Sequence, residues 1–166
     1  MKSKGFYFFI SVTLLSALLM GCSKSQESSS YTSEEIVFDT QAKEHLNNLF
    51  NHFSNFTSLS KDAKPPYNDS VLLGKLEDEL DLAVQEARAI AELKCPSSRL
   101  DSICRDFVEM QDGVISLHDD ISQYYSSGFG KLERQMVNDD MIAMTSISQS
   151  IADDYAELEA LYGTIK

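Results

Sequence analysis

Between residues 100 and 124, apolar side chains recur at alternating steps of three and four: Leu100, Ile103, Phe107, Met110, Val114, Leu117, Ile121 and Tyr124. That spacing places all eight on one face of a helix, whereas a half-buried strand would need every second residue apolar. A helix with one continuous apolar face cannot stand alone in water; it must lay that face against other elements. The stretch therefore demands partners, and the rest of the chain supplies three of the same kind.

The first is Phe38, Ala42, Leu46, Leu49, Phe53 and Phe56, with Phe50 widening the face beside Leu49. Thr32 followed by Glu35 precedes it and has the spacing of a capping box. The second is Leu73, Leu76, Leu80, Ala83, Ala87 and Ile90, with Asp69 or Ser70 as its cap. The last is Met144, Ile147, Ile151, Tyr155, Leu158 and Tyr162. Its stripe is poor at the start. Continued backwards it meets Asp140, so either the first turns project past the core or the register shifts through Met136 and Val137. Helices are predicted over 33–59, 70–94, 98–126 and 131–162.

The breaks between them carry turn formers: Pro65, Pro66 and Asn68, then Pro96, Ser97 and Ser98, then Gly128 and Gly130. Pro96 disfavours helical geometry at Cys95. Long helices joined by short loops become antiparallel neighbours. The expected fold is all-α, an up-down-up-down four-helix bundle over 32–166. The alternative is a three-helix bundle with the first helix packed loosely.

The N-terminal segment is of another kind. Lys2 and Lys4 precede an almost wholly apolar run from Phe6 to Met20, and the composition turns Ser-rich at Ser23. A basic start, an apolar stretch of about 15 residues and a small residue before the break describe an export signal. The run falls short of the roughly 20 apolar residues of a comfortable membrane span. Leu19-Met20-Gly21-Cys22 resembles the lipobox of bacterial lipoproteins, with Met20 standing where Ala, Ser, Thr or Val is usual. The resemblance implies diacylglyceryl transfer to Cys22, cleavage of residues 1–21, and a mature chain held to a bacterial membrane, facing the periplasm or the cell exterior. Two acyl chains anchor stably where one holds only marginally. Residues 22–31 then read as the lipidated cysteine and a flexible tether, reaching about 30 Å when extended.

Removing residues 1–21 leaves 12 basic against 26 acidic residues, a net charge of −14. Such a surface repels nucleic acid and anionic headgroups. Export also permits a Cys95–Cys104 disulfide. It would close a loop of about ten residues and contribute about 2.5–3 kcal/mol in the chain-entropy model. It requires Cys95 to fold back along the turn; otherwise the two remain separate small apolar side chains.

Few residues carry candidate chemistry. His45 and His52 lie seven apart on one face of the first helix and, with Glu44 and a carboxylate from another helix, form a weak metal-ligand set. The paired Glu-x-x-His motifs of a di-iron bundle are absent from the sequence. Adjacent pairs such as Asp139 and Asp140 point about 100° apart on a helix and do not converge on one atom. There is no Gly-x-Ser-x-Gly and no phosphate-binding glycine loop. Phe38, Phe50, Phe53 and Phe56 form an aromatic edge that could serve as a docking face. The sequence thus points to a non-enzymatic envelope lipoprotein without a cofactor, whose bundle binds another envelope protein. The alternative is a sensor for a small ligand or metal.

Overall fold

The computed structural model describes residues 31–62, 69–127 and 131–165. They form four helices: α1 (Ser33–Ser60), α2 (Ser70–Ala91), α3 (Asp101–Ser126) and α4 (Lys131–Tyr162), with a 3₁₀ turn at Ser98–Leu100 leading into α3. They pack as an antiparallel up-down-up-down bundle around one core. Among the described residues there is no strand. Nor is any described helix long and apolar enough to cross a membrane. The leader, Cys22, the tether before Tyr31, the prolines at 65 and 66, and Gly128 lie outside the described residues.

The starts of α1 and α2 follow from side chains that answer the unpaired N–H groups of a first turn. Thr32 Oγ1 accepts from the Glu35 amide at 3.2 Å, and the Thr32 amide donates to Glu35 Oε2 at 2.7 Å, closing the capping box. Asp69 Oδ1 accepts from the amides of Val71 and Leu72, both at 3.1 Å. Between α2 and α3 the structure departs from the expected boundaries. α2 ends at Ala91, because the amides of Glu92 and Leu93 close on Arg88 and Ile90 and Pro96 prevents continuation. Four residues then carry Cys95 back along the turn. Its Cα comes to 6.0 Å from that of Cys104 and the two sulfurs are bonded. Neither Ser97 nor Leu100 caps with its side chain; the Ser97 hydroxyl is directed elsewhere.

α1 is not a loose appendage. It makes the most extensive packing in the bundle, against α2, and buries Phe38, Ala42, Leu46, Leu49, Phe53 and Phe56. The three-helix alternative is therefore set aside. α3 buries Ile103, Phe107, Met110, Val114, Leu117 and Ile121, close to two residues per heptad. Phe107 reaches across the core to Phe38, ring centres 6.0 Å apart. Truncating a buried phenylalanine of this kind costs about 3–5 kcal/mol.

α4 differs. Its buried apolar residues are Val137, Met144, Ile151 and Leu158, one in every seven. The register does pass through Val137, with Met141 half-buried beside it, and the core is first met there, because Leu132, Arg134 and Gln135 before it are exposed. α4 gains its hold on α3 at Gly113, where a Cβ would stand 2.7 Å from Met144 Sδ. The missing side chain is what lets Met144 seat there. That accounts for a glycine inside α3 despite its cost of about 1 kcal/mol in helix propensity.

Candidate functional site

The best-built polar site lies at the end of the bundle where the chain enters from its N-terminal segment. Glu35 is fully buried, although it sits in the first turn of a surface helix. The capping geometry turns its carboxylate inward. There it receives the Thr32 amide, the Ser97 hydroxyl, and Arg99 Nε at 2.7 Å. Burial opposes its ionisation. The hydrogen bonds from Ser97 and Thr32 and the Arg99 charge outweigh burial and hold the carboxyl below its ordinary value.

Arg99 also lies between two rings, its guanidinium carbon 5.1 Å from the centre of Tyr31 and 5.0 Å from that of Tyr162. The rings meet edge-on at 6.3 Å, and the Tyr31 hydroxyl donates to the Leu158 carbonyl at 3.3 Å. Guanidinium over an aromatic face contributes about 0.5–2 kcal/mol, more as water is excluded. The beginning of α1, the disulfide-closed turn and the end of α4 are thus tied into one knot. Only its capping half was visible in the sequence, through Thr32 and Glu35. Tyr31, Ser97, Arg99 and Tyr162 carry no motif; they are brought together by the antiparallel order of the helices.

The histidines are placed differently from a metal set. His45 Nδ1 lies 2.6 Å from Glu86 Oε2, with Asn48 on the same carboxylate at 3.4 Å. Seven residues along α1, His52 Nδ1 lies 2.8 Å from Glu79 Oε2, with Asn55 on that carboxylate at 3.3 Å. Glu79 is seven residues before Glu86, so the two groups are successive rungs across the α1–α2 seam. His118 repeats the theme between α3 and α2, 3.1 Å from Asp81. Each rung becomes an ion pair when its imidazole is protonated; His45 and His52 each hold one carboxylate, and His118 also meets its neighbour Asp119 at 2.9 Å. His45 and His52 therefore share a face but not a site, and Glu44 joins neither. Among the described residues no three ligating side chains gather.

The aromatic edge is also corrected. Phe38, Phe53 and Phe56 face the core and are at most 9% exposed. They fill the bundle core, Phe38 against Phe107 of α3, and leave almost no surface for a partner. Phe50 alone is half-buried, on the side of α1 that faces α4.

On the α3–α4 seam, carboxylates face carboxylates. Asp120 meets Asp140, and its carboxyl is pushed above the ordinary range by burial, then by the charge and hydrogen bonding of Asp140 and the charge of Asp119. Asp106 and Asp154 are displaced by fourteen residues in opposite directions from that pair, so they sit at one level across the same seam. Asp106 Oδ2, Asp140 Oδ2 and Asp154 Oδ2 are buried without a hydrogen-bond partner. Nothing in the described arrangement pairs a nucleophile with a base.

No protein-family model, no curated protein and no solved structure matches this chain.

Proposed function

We propose that this chain is a lipid-anchored protein of the bacterial envelope, held at Cys22, whose four-helix bundle binds another envelope protein and carries out no catalysis. The observation that carries this reading is Leu19-Met20-Gly21-Cys22 at the end of a basic-then-apolar leader. The knot around Glu35 and Arg99 supports it. It ties Tyr31, read from the sequence as the last residue of the tether but buried here, to the turn between α2 and α3 and to the end of α4. A chain pulled from its N-terminus is loaded at that point, and there the bundle is cross-linked in three directions. The acidic surface directs the choice of partner away from nucleic acid and toward a protein face that is basic or neutral. The rungs of His45 and His52 give the metal-sensor alternative no observation in its favour.

The test is crosslinking in intact cells followed by affinity recovery from detergent-solubilised envelope. The expected result is one specific protein, recovered with the native chain and lost with Cys22→Ser. Recovery of no specific protein contradicts the reading.

A further inference from the structure

Gly113 marks the face of α3 that meets α4. A Cβ there would stand 2.7 Å from Met144 Sδ and 3.6 Å from Ile147 Cδ1. Seven residues bring a helix back to within about 20° of the same direction. Asp106 and Asp120, one heptad before and after Gly113, therefore point toward α4 as well. Asp140 and Asp154 stand one heptad either side of Ile147. The antiparallel order sets Asp120 against Asp140, and those two side chains do hydrogen-bond. By the same register Asp106 faces Asp154. The two levels lie about 21 Å apart along the helices.

The levels are not alike. Asp120 and Asp140 are partly exposed and answer each other. Asp106 is only 5% exposed, and its Oδ2 and that of Asp154 are both buried without a hydrogen-bond partner. A carboxylate oxygen taken out of water needs a positive charge or a donor. Among the described residues no ion pair reaches either side chain. Residues 106–127 and 135–165 contain no lysine or arginine. Arg105, next to Asp106, is exposed and donates to Ser102 at 3.0 Å. The compensating charge therefore has to come from solution, and the half-buried Asp154 leaves it a way in. The donors select the ion. Zinc and copper sites are built on nitrogen or sulfur, whereas this level offers only carboxylate oxygen, from two side chains and no third. A hard divalent cation such as Mg²⁺ binds through one or two carboxylates and keeps several of its waters.

We propose that Asp106 and Asp154 hold one hard divalent cation of the Mg²⁺ class between α3 and α4, its remaining positions filled by water, and that this ion fastens α4 to the bundle. A fastening matters there because α4 buries only one apolar residue per heptad. The site does not rest on the anchor at Cys22 or on the function proposed above.

The experiment strips the full chain with a chelator in non-ionic detergent and titrates it with Mn²⁺, which favours the same oxygen ligands. Paramagnetic resonance of the free ion counts what is bound. The expected result is one Mn²⁺ per chain with a dissociation constant of about 10⁻⁴–10⁻³ M, displaced by Mg²⁺ but not by Na⁺ at equal ionic strength. Asp106→Asn and Asp154→Asn should each weaken binding at least tenfold. Asp153→Asn removes the same charge from the adjacent, exposed position, where the carboxylate accepts from Gln149, and should leave binding within twofold. Mg²⁺ should raise the melting temperature of the native chain and leave that of Asp106→Asn unchanged. Metal-free, Asp106→Asn should melt above the native chain, which also shows that the variant folds. Absence of bound Mn²⁺ up to about 10⁻² M overturns the proposal, because protons or water alone then satisfy the pair. Equal weakening by Asp153→Asn overturns it too, because the ions then gather loosely around an acidic surface.

Discussion

The two ends of this bundle handle buried carboxylates in opposite ways. At the end where α1 begins, Glu35 is completely enclosed and receives donors from three residues, so burial costs it little and its ionised form is favoured. Toward the other end Asp120 is only partly enclosed but faces Asp140, so its ionised form is disfavoured. Burial alone decides neither case; what each carboxylate meets inside does. The Glu35 end is reinforced further by the disulfide, which holds the turn carrying Ser97 and Arg99 in reach of Glu35. The difference leaves one end cross-linked and the other carrying an electrostatic strain.

The largest expected effect comes from breaking the reinforced end. Glu35→Ala strands Arg99 and leaves the Thr32 amide and Ser97 hydroxyl unanswered. It should cost about 3–4 kcal/mol, read by urea denaturation at neutral pH. A loss under about 1 kcal/mol would mean that the knot is replaceable by water. Replacing both Cys95 and Cys104 by serine should cost about 2.5 kcal/mol in the chain-entropy model. If the disulfide serves the knot, that cost should shrink in the Glu35→Ala background; strict additivity would separate the two.

The other end should respond in the opposite sense. Asp140→Asn removes the like charge facing Asp120 and should stabilise the protein at neutral pH by up to about 1 kcal/mol. A destabilisation would show that the pair is held by a shared proton worth more than the repulsion. The pH dependence joins both ends. Asp120 binds its proton more tightly folded than unfolded, so its contribution to stability rises as pH falls from neutral toward its ordinary value of 3.8. Glu35 has the reverse sign. Its contribution is full above its ordinary value of 4.5 and is lost as pH falls through its lowered folded value. The melting temperature should therefore climb modestly on acidification and then fall below about pH 4, and Asp140→Asn should flatten the climb. A monotonic fall from pH 7 downward contradicts the assignment of Asp120.

Helix number, order and most boundaries were legible because the stripes at residues 38–56, 73–90 and 100–121 are helical in period and nearly free of charge. α4 was read poorly at its start because it contacts the core once per heptad, and Val137 and Met144 alone make a faint signal. The α2–α3 turn was misjudged by three residues because a fold-back loop has no periodicity of its own. The aromatic edge was misread because sequence cannot tell a wide core face from an exposed one, and the core took up Phe38, Phe53 and Phe56. The knot was half legible. A capping box is a local pattern, whereas Arg99 between Tyr31 and Tyr162 exists only once three chain segments meet.

On the function proposed above, the reinforced end is where the protein hangs from a membrane. The intact mass of the protein extracted from membranes tests it most directly. The expected result is a chain beginning at Cys22 and carrying a diacylglyceryl group. A chain that keeps its leader, or is cut elsewhere and unmodified at Cys22, would contradict it.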